Sequence, residues 1–194
     1  MKKIIKNLFC IFVFLVFASC DQKIESKDFS GNVVSVKVFS SLTCPHCADF
    51  HLEIYGKLNK EYILAGKVKF EHYSFPLDLA ALNAEKILVC NPESEINFQL
   101  LGEIYKQQNK WAVGSDINMI NENIKKIGRK SGLKDLQMNE CLDNKDLEEE
   151  ILNKRINAQK KYKISSTPTI YLNEKKYEGK RDYESFKKAI EKIL

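Results

Sequence analysis

Two cysteines separated by two residues stand where extended sequence gives way to helical sequence, and this placement constrains the fold most. Cys44-Pro45-His46-Cys47 follows the run from Val33 to Phe39, which is rich in β-branched residues and predicts a strand. A helical pattern then continues to about Leu64, and Pro45 suits a first helical turn because its missing N–H costs nothing there. We therefore expect a strand, a loop and a helix whose N-terminus carries both thiols.

A pair of thiols at a helix N-terminus is suited to redox chemistry. The helix dipole favours the thiolate of Cys44, which we expect to be exposed, while the first turn covers Cys47. His46 adds a hydrogen-bond donor and, when protonated, a positive charge, so we expect it to lower the Cys44 pKa. A stabilised thiolate also stabilises the reduced state, which makes the disulfide a stronger oxidant.

Two other uses of this pair stay open. A CxxC motif can form half of a zinc site, but such a site needs further ligands, and His51 and His72 are candidates only by their distance along the chain. An inert structural disulfide is the other alternative, although this spacing at a helix start is more typical of redox motifs. We expect no metal.

The remaining sequence predicts a small α/β sheet interrupted by helices. Val68 to Phe75 alternates and predicts a second strand, which indicates a right-handed crossover to a parallel neighbour. Residues 78–161 are almost entirely helical in pattern, with Trp111 expected in a loop as a core residue. Thr169 to Leu172 predicts a strand, with Lys176 to Glu178 as a candidate hairpin partner. The last residues predict an amphipathic helix with Tyr183, Phe186, Ile190 and Leu194 on one face.

Ser166-Thr167-Pro168-Thr169 is the second chemical signal. Proline is disfavoured inside strands, so Pro168 directly before a strand indicates a special backbone geometry. With the CPHC motif about 120 residues upstream, the chain resembles the DsbA family of bacterial disulfide oxidoreductases over about residues 33–194. The resemblance implies a thioredoxin-like fold in residues 33–77 and 162–194 and an inserted all-helical domain in residues 78–161. It also implies a cis bond before Pro168 and a role for Thr167 in presenting backbone groups to a bound peptide.

The resemblance further implies partners, and the sequence departs from the family pattern at one position. The implied substrates are exported proteins with cysteine thiols, and the implied reoxidising partner is a membrane quinone-linked thiol oxidase of the DsbB kind. No cofactor is implied. The family often has a buried acid on the first strand, six residues before the first cysteine, where this chain has Val38. Its absence leaves open which group takes the proton of Cys47.

The first 19 residues predict a signal peptide. Three of the first six residues are lysines, and the apolar run from Leu8 to Ala18 is shorter than the roughly 20 residues of a membrane span. Phe17-Ala18-Ser19-Cys20 resembles a lipobox in which Cys20 becomes lipidated, and plain cleavage after Cys20 is the alternative. Residues 20–32 predict a polar tether. We expect a periplasmic protein, which is anchored to the inner membrane if Cys20 is lipidated.

The remaining cysteines and the charge complete the sequence interpretation. Cys10 lies in the signal peptide, and we expect Cys90 and Cys141 to form a disulfide in an oxidising compartment, with two buried free thiols as the alternative.

The net charge is +5, and loss of the three N-terminal lysines leaves 5 − 3 = +2. Because no basic patch with interleaved aromatic residues accompanies this charge, we expect no nucleic-acid partner.

These observations predict a thiol-disulfide oxidoreductase that donates the Cys44–Cys47 disulfide to exported proteins through a mixed disulfide. A disulfide isomerase or dedicated reductase is the alternative, and a non-enzymatic lipoprotein stabilised by its cysteines is a third hypothesis. Only about a dozen residues separate Cys20 from Val33, too few for a separate dimerisation domain. We therefore favour a monomeric oxidase.

Overall fold

The computed structural model describes residues 31–90 and 98–194. Its first strand is β1 (Val34–Ser40), and a long helix leads from it to β2 (Val68–Ser74). A group of helices separates β2 from β3 (Thr169–Leu172) and the short β4 (Lys175–Lys176), and a C-terminal helix follows. The predicted signal peptide, most of the predicted tether, Cys10 and Cys20 lie outside the described residues.

The first helix is continuous from Pro45 to Ile63 but alternates between two hydrogen-bonding patterns. The segments α1 (Pro45–Asp49) and α2 (Gly56–Leu58) are α-helical, and each is followed by a π-helical stretch, Phe50–Tyr55 and Asn59–Ile63 respectively. Buried positions recur every three or four residues, which gives the helix one continuous apolar face. These positions are Cys47, Phe50, Ile54, Leu58 and Tyr62.

The sheet is built around β1. It pairs in parallel with β2, with Val34 opposite Val68, and antiparallel with β3, so that the strand order is β2-β1-β3-β4. The prediction for β4 was wrong in its bounds, since the strand is Lys175–Lys176 rather than residues 176–178. Asn173 has a φ of 52° and makes the turn tight, so pairing resumes at Lys175 directly after it.

The described residues between β2 and β3 form helices. These are α3 (Leu79–Leu88), α4 (Phe98–Lys106), α5 (Gln108–Trp111), α6 (Ile117–Lys130), α7 (Asp135–Asp143) and α8 (Lys145–Tyr162). Trp111 ends a short helix rather than lying in a loop, and its indole N–H donates to the Ile104 carbonyl at 2.8 Å, which allows the ring to be buried. None of the described helices is both long and apolar enough to cross a bilayer.

Two apolar cores meet at the dithiol. One core is formed by the helices between β2 and β3, and it includes Cys44, Cys47 and Ala48. The other lies between the sheet, the later turns of the long helix and the C-terminal helix α9 (Tyr183–Glu191). The long helix therefore enters the first core at its N-terminus and the second core from Phe50 onwards. This arrangement places the two sulfurs at the boundary between the sheet and the helical region.

Candidate active site

Cys44 and Cys47 lie at the start of the long helix, as the sequence predicted. Cys44 is the N-cap residue and Pro45 occupies the first turn. The backbone N–H groups of Cys47 and Ala48 donate to the Cys44 carbonyl at 3.0 and 3.2 Å, which closes the first turn around the pair. Both cysteines are free thiols in this structure.

The two thiols differ in exposure less than the sequence suggested. Cys47 is 1% exposed, in agreement with its predicted burial, but Cys44 is only 9% exposed rather than open to solvent. The loop before β3 covers Cys44, and the Cys44 sulfur lies 3.4 Å from the Thr167 carbonyl oxygen. This contact joins residues 123 positions apart, so local sequence could not reveal it.

The environment of Cys44 strongly favours its thiolate. The Cys47 thiol donates a hydrogen bond to the Cys44 sulfur, and this is the largest of the effects that lower the Cys44 pKa from 9.0 to about 5. Burial opposes the change, whereas the Thr167 hydroxyl and the backbone N–H groups of Cys47 and His46 reinforce it. A thiol with this pKa is mostly ionised at neutral pH and is therefore reactive.

Cys47 has the opposite behaviour. Its pKa is raised because its proton is held in the hydrogen bond to Cys44, because it is buried, and because the Cys44 thiolate repels a second negative charge. One proton is thus shared within the pair and resides on Cys47. The arrangement supplies one nucleophilic sulfur and one protonated sulfur beside it.

The peptide bond between Thr167 and Pro168 is cis. The turn brings both the carbonyl and the hydroxyl of Thr167 to Cys44. The carbonyl accepts a hydrogen bond from the protonated Cys44 thiol, and the hydroxyl, whose Oγ1 has no hydrogen-bond partner within the described residues, lowers the Cys44 pKa. Because the hydroxyl acts together with two backbone N–H groups, the balance lies with the thiolate.

The His46 side chain lies at the surface of the first helical turn. Its imidazole is 73% exposed, and its Nδ1 lies 3.6 Å from Asp49 Oδ2, one turn along the helix. The contribution of His46 to the Cys44 sulfur comes from its backbone N–H. That group is present whatever side chain stands at this position, and the effect of the imidazole on the Cys44 pKa stays a prediction.

A glutamine in the helical region anchors the active-site loop, and no local sequence pattern marks it. Gln108 lies in α5, and its side-chain amide donates to the Leu42 carbonyl at 2.7 Å and to the Cys44 carbonyl at 3.1 Å. On the opposite side of the loop, the Thr43 hydroxyl donates to the Asp78 carboxylate at 2.7 Å. Asp78 also caps α3 through the Ala81 N–H, so two helices fix the loop that precedes Cys44.

Two surface grooves lie beside the turn before β3 and the start of the long helix. One, of about 180 Å³, lies along the turn before β3 and is lined by Ser166, Pro168 and Arg181. The other, of about 210 Å³, lies beside the start of the long helix and includes His46, Asp49 and Arg181. Arg181 borders both grooves and donates to the Pro168 carbonyl at 3.4 Å.

Cys90 and Cys141 are joined in this structure. Their sulfurs lie 1.99 Å apart, and their Cα atoms 5.8 Å apart, with 51 residues of sequence separation. The Gln137 amide donates to the Cys90 carbonyl at 3.0 Å and links the same two helical segments. Within the described residues, no group of three or more Cys, His, Asp or Glu side chains is placed to hold a metal ion.

Comparisons with known proteins place this geometry in a family. A family model described as thioredoxin matches residues 31–192. The chain belongs to this thioredoxin family. Among solved structures, Wolbachia pipientis alpha-DsbA1 shares 26% identity and a TM-score of 0.74, covering 84% of this chain and 86% of that one. Bacillus subtilis BdbD shares 26% identity and a TM-score of 0.66, covering 82% and 86%. The predicted DsbA resemblance and thioredoxin-like fold are therefore confirmed.

Curated relatives of this thioredoxin family member carry related names. Disulfide bond formation protein D of Bacillus subtilis is 29% identical over 168 residues, which is 83% of this chain and 72% of that protein. A Rickettsia typhi protein, named as a candidate protein-disulfide oxidoreductase, is 29% identical over 156 residues, which is 78% of this chain. The chain spans only 56% of that Rickettsia protein and 63% of a similar one from Rickettsia prowazekii.

Proposed function

We propose that this protein is a thiol-disulfide oxidoreductase that acts through Cys44 and Cys47. The asymmetry of the pair carries the proposal. A lowered pKa makes Cys44 a nucleophile and a good leaving group at neutral pH, whereas Cys47 is fully buried and keeps its proton. The names of the relatives in Bacillus and Rickettsia support the same class of reaction.

In the oxidising direction, a substrate thiolate attacks the Cys44 sulfur of the Cys44–Cys47 disulfide. The bond between the two cysteines breaks, Cys47 leaves as a thiolate and takes up a proton, and a mixed disulfide joins the substrate to Cys44. A second substrate thiolate then attacks the substrate sulfur and releases Cys44 as a thiolate. The substrate loses two electrons and the protein dithiol gains them.

Oxidation of exported proteins is the direction that we propose. A stabilised Cys44 thiolate stabilises the reduced pair, and this makes the disulfide more oxidising. The two grooves that meet at Arg181 would hold the substrate peptide against Thr167 and the cis Pro168. A disulfide isomerase or reductase is the second candidate, because Val38 replaces the buried acid that is usual in the oxidases.

Export and membrane attachment belong to the same proposal. The basic and apolar N-terminal sequence supports cleavage of residues 1–19, lipidation of Cys20 and anchoring at the inner membrane, where a quinone-linked thiol oxidase would reoxidise the dithiol. Mass spectrometry of the mature protein should find a diacylated Cys20 at its N-terminus. A mature form that begins at Asp21 and carries no lipid would contradict the anchor but not the redox reaction.

The redox proposal is tested with purified protein and a peptide containing two cysteines. Oxidised protein mixed with one equivalent of the reduced peptide, without oxygen, should form about one peptide disulfide per protein and become reduced at Cys44 and Cys47. The Cys44→Ala variant should transfer nothing. The Cys47→Ala variant, mixed with the oxidised peptide, should hold it in a stable mixed disulfide. Equal trapping by the two variants would contradict the assigned roles.

A further inference from the structure

Arg181 lies close to the dithiol but takes no part in the bond changes described above. It stands between β4 and α9, and its guanidinium donates to the Pro168 carbonyl at 3.4 Å. The preceding carbonyl, that of Thr167, lies 3.4 Å from the Cys44 sulfur. Covalent bonds join these two carbonyl oxygens over about 7 Å. The two contacts of 3.4 Å and this covalent path together place the guanidinium no more than about 14 Å from the Cys44 sulfur.

The guanidinium of Arg181 keeps most of its hydrogen-bond donors free. An arginine side chain has five N–H groups, and the long bond to the Pro168 carbonyl occupies one of them. The residue is exposed, and no carboxylate in residues 31–90 and 98–194 forms an ion pair with it. A guanidinium can donate two parallel hydrogen bonds to a carboxylate, which makes arginine well suited to recognise this group.

The groove along the turn before β3 has an excess of positive charge. Its charged lining residues are Lys176, Glu178 and Arg181. Lys176 Nζ lies 3.9 Å from Glu178 Oε1, so the charges of these two side chains offset each other. The charge of Arg181 is left over, and this groove therefore favours an anionic group of a bound peptide.

The groove beside the start of the long helix has the opposite character. Two carboxylates line it, those of Asp49 and Glu53. Asp49 faces His46 at 3.6 Å, and within the described residues neither carboxylate pairs with Arg181. An acidic side chain of a peptide would meet like charges here, whereas it would meet Arg181 in the groove along the turn. The charges thus select the groove along the turn as the place for a substrate carboxylate.

We propose that Arg181 is a specificity-determining residue, which binds a carboxylate of the substrate peptide in the groove along the turn before β3. The proposal rests on the thiol-disulfide reaction proposed above and names its preferred substrates. An extended peptide advances about 3.3 Å per residue, so about four residues span the distance of up to ~14 Å between Arg181 and the Cys44 sulfur. The preferred substrates are therefore peptides with Asp or Glu within about four residues of the reacting cysteine.

The test measures how fast the oxidised full-length protein oxidises matched peptides. Each peptide contains two cysteines and differs from the others only in one residue, Asp, Asn or Lys, placed three residues from the nearest cysteine. One set carries this residue before the cysteines and a second set carries it after them, because the direction of the bound chain is open. Second-order rate constants are measured without oxygen by acid quenching and alkylation, at low and at high salt.

The ratio of the Asp-peptide rate to the Asn-peptide rate reports the contact with Arg181. An acidic neighbour also changes the reactivity of the peptide thiol, but this effect is the same for every protein variant and cancels when ratios are compared. Arg181→Gln should lower the ratio about fivefold in at least one peptide set, as expected for an ion pair at a protein surface. It should raise the rate of the Lys peptide relative to the Asn peptide. The difference between wild type and Arg181→Gln should shrink in high salt.

Two further variants separate a direct contact from other effects. Arg181→Lys keeps the charge but loses the fork of donors, so its ratio should lie between those of the wild type and Arg181→Gln. Lys180→Gln is the matched control, because Lys180 is the exposed neighbour of Arg181 and lines neither groove. Both Gln variants lose one positive charge, and Lys180→Gln should keep the wild-type ratio.

The outcomes distinguish the failure of this proposal from the failure of the proposed function. A loss of the ratio by threefold or more in Arg181→Gln alone would support the contact. A smaller loss in both peptide sets, or an equal loss in Lys180→Gln, would overturn it. A uniform slowing of all peptides by Arg181→Gln would assign Arg181 to the support of Pro168 and would also overturn it. If the wild type oxidised none of the peptides, the redox function itself would be wrong.

Discussion

The stability of the reduced protein should depend on pH in a way that the disulfide form does not share. The folded protein lowers the Cys44 pKa from 9.0 to about 5. For an acid with a lowered folded pKa, the stabilisation is complete above the unfolded pKa and is lost as the pH falls through the folded pKa. The window for Cys44 therefore runs from about pH 9 down to about pH 5.

The size of the effect follows from the two pKa values. Each pH unit above the folded pKa of Cys44 adds about 1.36 kcal/mol to the free energy of unfolding. Because pH 7 lies about two units above that pKa, the thiolate contributes ~2.7 kcal/mol at pH 7. At pH 5, where about half of Cys44 is protonated, ~0.4 kcal/mol remains. Acidification should thus destabilise the reduced form by ~2.3 kcal/mol more than the disulfide form. Cys47 adds nothing here, because its raised pKa keeps it protonated in the folded and unfolded states alike.

Urea unfolding of both redox forms at pH 7, 6 and 5 measures this difference. The experiment uses a background with Cys90→Ala and Cys141→Ala, so that only one pair changes its redox state. All other titrating groups are common to the two forms and cancel in the comparison. Reduced Cys44→Ala should follow the pH dependence of the disulfide form. A difference between the two redox forms that stays constant within about 0.5 kcal/mol from pH 7 to 5 would refute the lowered Cys44 pKa.

Two further predictions concern the surroundings of the pair and the second disulfide. Thr167→Val removes a hydroxyl that stabilises the Cys44 thiolate, and it should raise the Cys44 pKa by about one unit. His46→Ala keeps the backbone N–H and should change the Cys44 pKa far less. The ultraviolet absorbance of the thiolate measures both pKa values, and a larger shift for His46→Ala than for Thr167→Val would contradict this ranking. Replacing Cys90 and Cys141 together by Ala opens a loop of 51 residues and should lower the free energy of unfolding by ~4 kcal/mol, as measured in urea, while the alkylation rate of Cys44 stays unchanged. A matching loss of Cys44 reactivity would contradict the separation of the two pairs.

Local sequence was sufficient for the features that depend on neighbouring residues. The strand before Cys44 and the helix after it follow from β-branched residues, a proline in the first turn and helical spacing. Pro168 before a strand indicated special backbone geometry in the same way. Each of these signals lies within a few residues of the element that it predicts.

The features that the sequence missed depend on packing between distant segments. The imidazole of His46 points towards Asp49. Sequence spacing alone does not decide this, because Cys44 and Asp49 are both near neighbours of His46 at the start of the helix. Gln108 reaches the Cys44 carbonyl across 64 residues, and nothing in its own neighbourhood marks it. Glu85 could not be distinguished from the many surface glutamates, since only the assembled fold buries it beside His72.

The reduction potential of the Cys44–Cys47 pair tests the central claim most directly. The protein is equilibrated with glutathione buffers of known potential, and the two redox forms are separated after alkylation. A stabilised Cys44 thiolate predicts a potential above about −180 mV, in the range of disulfide donors. A potential below about −300 mV is that of an inert structural disulfide and would contradict the account.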